Sequence, residues 1–417
     1  MMDAEKALKI LTKSADEAEI FFSKGISNDV EIKKGRIETF KGSSHFGYGV
    51  RAIKDKKMGF AFSNKLDEKV LQRAIDTAKI GERDKFLSLP EKQKYSRIGI
   101  YDKRIAELEV EDAMEFAEVL VSPCSSYSVI PTTGVISWSV SEVGIWNSNG
   151  VAASDKATTC ACHLNAVAES ESSGFYYEVS RALDLDFAGV GREAARLARD
   201  SLNAAEIGVL TTSLILKPHA VAELLENVLI HSFSADNVQR RRSILAGKVG
   251  EKIFSDLNII DDGTFKHGLS TSKFDGEGVK SQRTELLKKG ILKGYLYDTY
   301  AANKENAKST GSAERDSYAS LPYIDSSNFI VSGKGRIDEE GLVVHGLIGA
   351  HTSNPVSGDF SVETRNAFLN GKPVKKAIIS GNIFDVLNKI EGFGKDYKQV
   401  SSVRAPTIQF KDVKVVS

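Results

Sequence analysis

The sequence predicts an α+β fold. An N-terminal α/β portion with an antiparallel sheet and helices is followed by a C-terminal β-rich portion, a sandwich or a barrel-like sheet. Two observations carry the first half. Helical periodicity brackets a set of alternating segments in the first 80 residues, and a second alternating set ends in another helix near residue 200. A third observation carries the second half. From about residue 245 the chain is glycine-punctuated and strand-like, with almost no helical pattern before Ile383.

Ala4, Ala7, Leu8 and Leu11 fall at helical spacing. Alternation then runs through 18–24, 30–40, 48–53 and 58–63, with Gly25, Gly35, Gly42 and Gly59 expected as turns or bulges. Asn64-Lys65-Leu66-Asp67 opens a helix carrying Val70, Leu71, Ala74, Ile75 and Ala78. The resulting α-β-β-β-α order implies an antiparallel meander with helices on one face. Residues 82–104 are charged and aperiodic, a surface connector. A helix over 110–120, a strand meander over 129–181 with a turn at 147–150, and a helix over 188–203 follow. Leu210 begins a strand, and Pro218 starts a helix over 219–231 in the first-turn position that tolerates proline. Turns such as Asp261-Asp262-Gly263, Lys289-Gly290 and Asn370-Gly371 then separate short strands. No internal repeat is visible. The expected domains are 1–205 and 206–417.

The 417 residues hold 56 Lys plus Arg and 56 Asp plus Glu, so net charge offers no argument for nucleic acid or an anionic membrane. The start of the chain is charged and lacks an apolar core segment, and no run approaches a membrane span, so neither a signal peptide nor a transmembrane helix is expected. Three cysteines suit a reducing, cytoplasmic setting.

Several groups of residues could carry chemistry. His219 and Glu223 stand at i and i+4 on one helix, a geometry two metal ligands can share and also that of an ordinary helix-surface pair. Cys160-Ala161-Cys162-His163 resembles a soft-metal cluster, but strand alternation turns both thiols one way and the imidazole the other, as in a core. His345 and His351 flank Gly349 and could meet across a loop. Tyr295, Asp298 and Tyr300 are read as alternating residues with one face on a cavity. Gly311, Gly358 and Gly381 are read as positions of special backbone conformation. No phosphate-binding loop, nucleophile elbow or dinucleotide fingerprint is present.

A linked set of phrases runs through the chain. It comprises Gly35-Arg36-Ile37-Glu38, Gly47-Tyr48-Gly49-Val50-Arg51, Phe274-Asp275-Gly276-Glu277-Gly278 and Gln282-Arg283-Thr284. Gly290-Ile291-Leu292-Lys293-Gly294-Tyr295-Leu296-Tyr297-Asp298-Thr299-Tyr300 and Ser309-Thr310-Gly311-Ser312-Ala313 come next. Asn354-Pro355-Val356-Ser357-Gly358-Asp359-Phe360-Ser361 and Ile379-Ser380-Gly381-Asn382 complete it. Together, in this order and over nearly the whole chain, they resemble the PmbA/TldD family of metallopeptidases, once called modulators of DNA gyrase. In that family the TldD-like branch carries His-Glu-x-x-x-His on a helix and a cysteine near the C-terminus as a third zinc ligand. The TldE (PmbA) branch lacks them.

The resemblance places Glu226, Asn227 and His231 at the three helix positions and Phe393, before Gly394-Lys395-Asp396, at the cysteine position. A ligand is then replaced by Glu, the general base by an amide without useful basicity, and the thiolate by Phe. The resemblance therefore implies a TldE/PmbA-like subunit with no catalytic residues and no cofactor of its own. Zinc is expected in a TldD-like partner, and unfolded peptide is the substrate class. The cavity residues it points to are His231, Tyr295, Asp298, Tyr300, Gly311, Asn354, Gly358 and Asp359, with segments 309–313 and 354–361 facing a shared chamber near the 219–231 helix. Two rival readings remain open: a homodimeric, non-catalytic peptide-binding or scaffold protein, and an independent hydrolase with a rearranged site using His219, Glu223, Glu226 or His231.

Overall fold

A computed structural model describes residues 2–169, 171–338 and 340–417. The N-terminal part begins with α1 (Ala4–Leu11), β1 (Glu17–Lys33), β2 (Arg36–Lys54), β3 (Lys57–Ser63) and α2 (Glu68–Ile80). After a coil connector and the single turn α3 (Lys103–Ala106), the same order returns. It comprises α4 (Val110–Val121), β4 (Ile130–Asn147), β5 (Ala152–Ala168), β6 (Ser172–Ser180) and α5 (Phe187–Asp200). The six strands form one antiparallel sheet, β3-β2-β1-β4-β5-β6. β1 pairs with β4 in the middle, so each α-β-β-β-α unit supplies half of it.

The chain thus has an internal repeat that its sequence does not display. It is a repeat of architecture carried by different side chains. Ile20, Val50, Val70 and Leu71 fill the first half, and Ile136, Trp138, Leu164 and Val190 the second. One device is common to both. A Cβ on Gly59 of β3 would lie 2.0 Å from the Ala74 carbonyl oxygen of α2, and one on Gly174 of β6 would lie 2.1 Å from that of Ala194 in α5. Each helix rests directly on a strand backbone. Gly174→Ala should therefore cost about 1–3 kcal/mol, the range for overpacking, measured by urea denaturation. A change within 0.5 kcal/mol, of the order of a neutral surface substitution, would mean that the helix is free to lift.

The glycines expected as punctuation serve otherwise. Only Gly35, at φ 73°, makes a turn. Gly25 and Gly42 lie inside β1 and β2. The strand continues through the polar stretch 25–29 because β2 and β4 pair with it on both sides. Backbone bonding, rather than side-chain burial, holds the strand there.

The C-terminal part comprises β7 (Val209–Leu216), α6 (Pro218–Val228), α7 (Ala235–Gln239), β8 (Leu257–Asp262), β9 (Arg283–Lys288), β10 (Ile291–Leu292) and α8 (Thr299–Glu305). It continues with β11 (Ala313–Glu314), β12 (Tyr323–Ile324), β13 (Phe329–Gly333), β14 (Leu342–Ile348), β15 (Asp359–Leu369), β16 (Lys372–Val374) and β17 (Ile378–Asn382). α9 (Ile383–Leu387), β18 (Ile390–Phe393), β19 (Lys398–Val400), β20 (Val403–Ala405) and β21 (Ile408–Val416) complete it. β14, β7, β21, β17 and β15 pair in sequence, and β15 pairs back to β14, which closes a small barrel. A second sheet runs β10-β9-β8-β13-β20-β19. α6 packs against β14 of the barrel and β19 and β20 of the second sheet. Leu224, Leu225 and Val228 join it to one core with Phe233, Phe329 and Phe410.

Asp261 of β8 lies 2% exposed in this region and accepts hydrogen bonds from the Ser327 backbone N–H and hydroxyl. Burial pushes its carboxyl up to about 7. The folded chain therefore keeps a proton that the unfolded chain loses near pH 4. This group's contribution is full below about pH 4 and is lost as pH rises towards 7. Asp261→Asn should flatten the stability slope between pH 4.5 and 7 and raise stability at pH 8 by about 1–3 kcal/mol. Denaturation midpoints at the two ends of that window test it, and an unchanged slope would refute it.

The face of the N-terminal sheet opposite its helices meets the C-terminal part. Phe21, Ile145 and Val151 pack on Phe274. Beside them Arg51 bridges Glu19 at 2.6 Å and Glu277 at 3.1 Å, and Arg315 reaches the other Glu19 oxygen at 2.5 Å. Nothing in the sequence patterning marked Glu19 or Arg315.

Candidate functional site

α6 carries two of the three motif positions, and they point to different tasks. Glu226 accepts hydrogen bonds from the Ser401 hydroxyl at 2.5 Å and the Ser402 hydroxyl at 3.3 Å, at the β19–β20 turn. The Asn227 amide donates to the Glu223 carbonyl at 2.8 Å, one turn back along its own helix. The helix expected through residue 231 stops at Val228. A 3-10 turn, Ile230–Phe233, replaces its last turn and leaves His231 exposed. No glycine or proline marks this stop. A tightened last turn satisfies end carbonyls without either.

Phe393 ends β18 and is 7% exposed. Its ring lies against Gly333, where an added Cβ would come within 2.0 Å of it. The following turn is fixed by Asp396, which accepts from the Thr407 N–H at 3.0 Å and hydroxyl at 2.6 Å. The ring therefore belongs to the core.

His219 and Glu223 do share a face of α6, and both are already engaged. His219 Nε2 lies 3.0 Å from the Tyr177 carbonyl of β6, its ring 4.7 Å from each of Tyr176 and Tyr177. Burial pushes the imidazole down to about 4, so it is neutral at pH 7 and donates through Nε2. Glu223 accepts the Leu347 backbone N–H at 2.5 Å, and burial raises its carboxyl. They line, with His345, a cavity of about 10 Å³, no more than one water needs. His345 turns its ring to Phe368, while His351 is exposed on the turn after β14. Cys160 and Cys162 are buried on the helix side of β5, and His163 faces the other way against Phe175.

The remaining expected cavity residues are dispersed. Tyr295, Asp298 and Tyr300 do not alternate along a strand, because Asp298 caps α8 by accepting the Ala301 N–H at 2.7 Å. A helix of seven residues is too short to show its period in sequence. The Tyr295 hydroxyl donates to the Leu245 carbonyl and the Tyr300 hydroxyl to Asp84 in the connector. Gly311, at φ 68°, lies against the Lys280 carbonyl in a buried stretch. Asn354 and Asp359 are exposed on a turn braced within itself, whose Gly358 is buried against Phe384. Asn354 Oδ1 accepts from Val356 and Ser357, and Asp359 from the Ser357 hydroxyl and Asn382. Segments 309–313 and 354–361 thus sit in different surroundings, one largely buried and one largely exposed.

Three family models match this chain. They describe PmbA/TldA metallopeptidase domain 1 over residues 18–80, the central domain over 103–202 and the C-terminal domain over 210–417. The chain belongs to the PmbA/TldD metallopeptidase family. It is 37% identical over 420 residues to an uncharacterized protein of Methanocaldococcus jannaschii, covering 98% of this chain and 99% of that one. It is 26% identical over 428 residues to the metalloprotease TldD homolog of Buchnera aphidicola subsp. Acyrthosiphon pisum, covering 94% and 87%. The crystal structure of TldE from Thermococcus kodakarensis superposes with a TM-score of 0.93 at 25% identity, covering 99% of both chains. Identity to the two named branches is nearly equal, so the site itself must distinguish them.

Zinc, which the PmbA/TldD family implies, finds no ligand set at these positions. Glu226 is tied to two serines, Asn227 to its own helix, His231 lies beyond the helix end, and Phe393 offers a ring. Among the described residues no group of three or more His, Cys, Asp and Glu could hold a metal ion. Nor is any helix among them long and apolar enough to cross a membrane.

Proposed function

We propose that this chain is the TldE-like subunit of a two-component zinc peptidase acting on unfolded polypeptide. A TldD-like paralogue supplies the metal and the general base. This chain completes the chamber and helps to hold the peptide extended. The observation that carries the reading is the Asn227 amide, committed to the Glu223 carbonyl where a metallopeptidase of this family needs a carboxylate free to take a proton from water. The likeness to a protein named TldE supports it. Exposed strand edges suit the task, since backbone hydrogen bonds read any sequence.

Turnover of a disordered peptide, with each chain alone and with the two mixed, is the test. This chain alone should give no chelator-sensitive cleavage. Mixing with the paralogue should raise its rate by about tenfold or more, of the order that positioning contributes, and the two should co-purify from the native cell with zinc in the complex. Chelator-sensitive cleavage by this chain alone, abolished by His231→Ala, would overturn the reading.

A further inference from the structure

Between the outer face of the N-terminal sheet and the 269–276 loop lies a cavity of about 290 Å³. It stands at the lower edge of the roughly 300–1,000 Å³ usual for small ligands, room for a side chain. Phe21, Val143, Leu269 and Phe274 give it apolar walls; Arg181 and Glu314 are among its charged groups. The other charges are spoken for. Asp155 pairs with Lys273 at 2.8 Å. Asp275 accepts the N–H groups of Glu277, Val279 and Ala313. Arg315 is paired with Glu19. Arg181 donates through its terminal nitrogens to the Thr159 hydroxyl and the Leu269 carbonyl, while its buried Nε has no partner among the described residues. Among the described residues, Glu314 is the one charged side chain of this lining with neither a hydrogen bond nor an ion pair.

Glu314 is open to solvent through the cavity yet set deep among protein atoms. That setting, with Asp325 and Asp316 nearby, pushes its carboxyl up to about 7, and Arg181 pulls it the other way. Arg181 is the one cation that acts on it against the two acids, and it makes no ion pair with Glu314. The acidic side continues towards the degenerate motif, because Asp325 is also close enough to feel the charge of His231.

We infer that this cavity binds a lysine side chain of an extended peptide, its aliphatic stem along the apolar walls and its ammonium on the Glu314 carboxylate. A compact cation on a four-carbon stem matches both the lining and the unpaired charge. The inference rests on the peptide-holding role proposed above and adds a side-chain preference to it.

The test uses the full chain and two kinds of probe, followed by calorimetry. One is a disordered peptide carrying a single lysine, with its norleucine counterpart. The other is N-acetyl-lysine methylamide alone. The lysine peptide should bind about tenfold more tightly than the norleucine peptide, as one charge-assisted contact provides. Glu314→Gln should erase that preference and leave the norleucine peptide's affinity unchanged. Equal binding of both peptides by the wild type, or a preference that survives Glu314→Gln, overturns the pocket and leaves peptide holding intact. Glu314-dependent binding of the capped lysine by a chain that binds neither peptide upholds the pocket and overturns peptide holding. Binding of no probe overturns both.

Discussion

Arg51→Ala should destabilise the chain by about 3–5 kcal/mol, the cost of removing one partner from a buried ion pair. Arg51, Glu19 and Glu277 are 6%, 1% and 2% exposed, so water cannot replace the lost cation. Burial, and after it Glu277, pushes up the carboxyl of Asp275 and raises that of Asp298 to about 6. Without Arg51 the carboxylates at this junction repel with less compensation. The variant should therefore recover part of its loss between pH 8 and pH 5, as protons neutralise them. Lys41→Ala serves as the control, since the Lys41–Glu31 pair lies on the surface, where solvent screens it, and should matter far less. Urea midpoints at both pH values provide the measurement. Equal effects of the two substitutions would show that the buried network is dispensable to the junction.

The combined variant Glu226→His, Asn227→Glu and Phe393→Cys should not regain a stoichiometric zinc site. It places on these positions the side chains that the resemblance implies for the catalytic branch, but the helix ends before the third of them. α6 ends at Val228, so residue 231 sits on a 3-10 turn rather than on the helix that carries 226 and 227. Phe393→Cys also empties the space over Gly333. Phe→Ala in a core costs about 3–5 kcal/mol, and Cys returns only one heavy atom. The expected result is well under one zinc per chain after dialysis, together with a loss of about 2–4 kcal/mol. A stable triple variant that retains one zinc per chain would show that only the side chains had changed.

The α+β class, the antiparallel N-terminal sheet and the β-rich C-terminal part were legible in the sequence, because they rest on periodicity longer than a few residues. The barrel closure was not, since it depends on β14 meeting β7 across more than 100 residues of chain. The repeat was hidden for a related reason: two units can share a backbone path while filling their cores with different residues. α8 and the end of α6 escaped because seven residues give no period and a 3-10 turn needs no marker residue. The family phrases were legible as a set, but their physical content was not. Gly47-Tyr48-Gly49-Val50-Arg51 and Phe274-Asp275-Gly276-Glu277-Gly278 meet in space, through Arg51 and Glu277. They mark a joint between the two parts of the chain.

The N-terminal sheet has two ends, and they are not alike. At β6 the backbone carbonyls of Tyr177 and Ser173 are taken by His219 and Asn366 from the C-terminal part. At the other end β3 covers β2 only over Tyr48–Lys54, so residues 36–47 have no strand on their outer side among the described residues. Arg36, Glu38 and Lys41, spaced along this open stretch, make edge pairing selective, because an incoming strand must answer their charges.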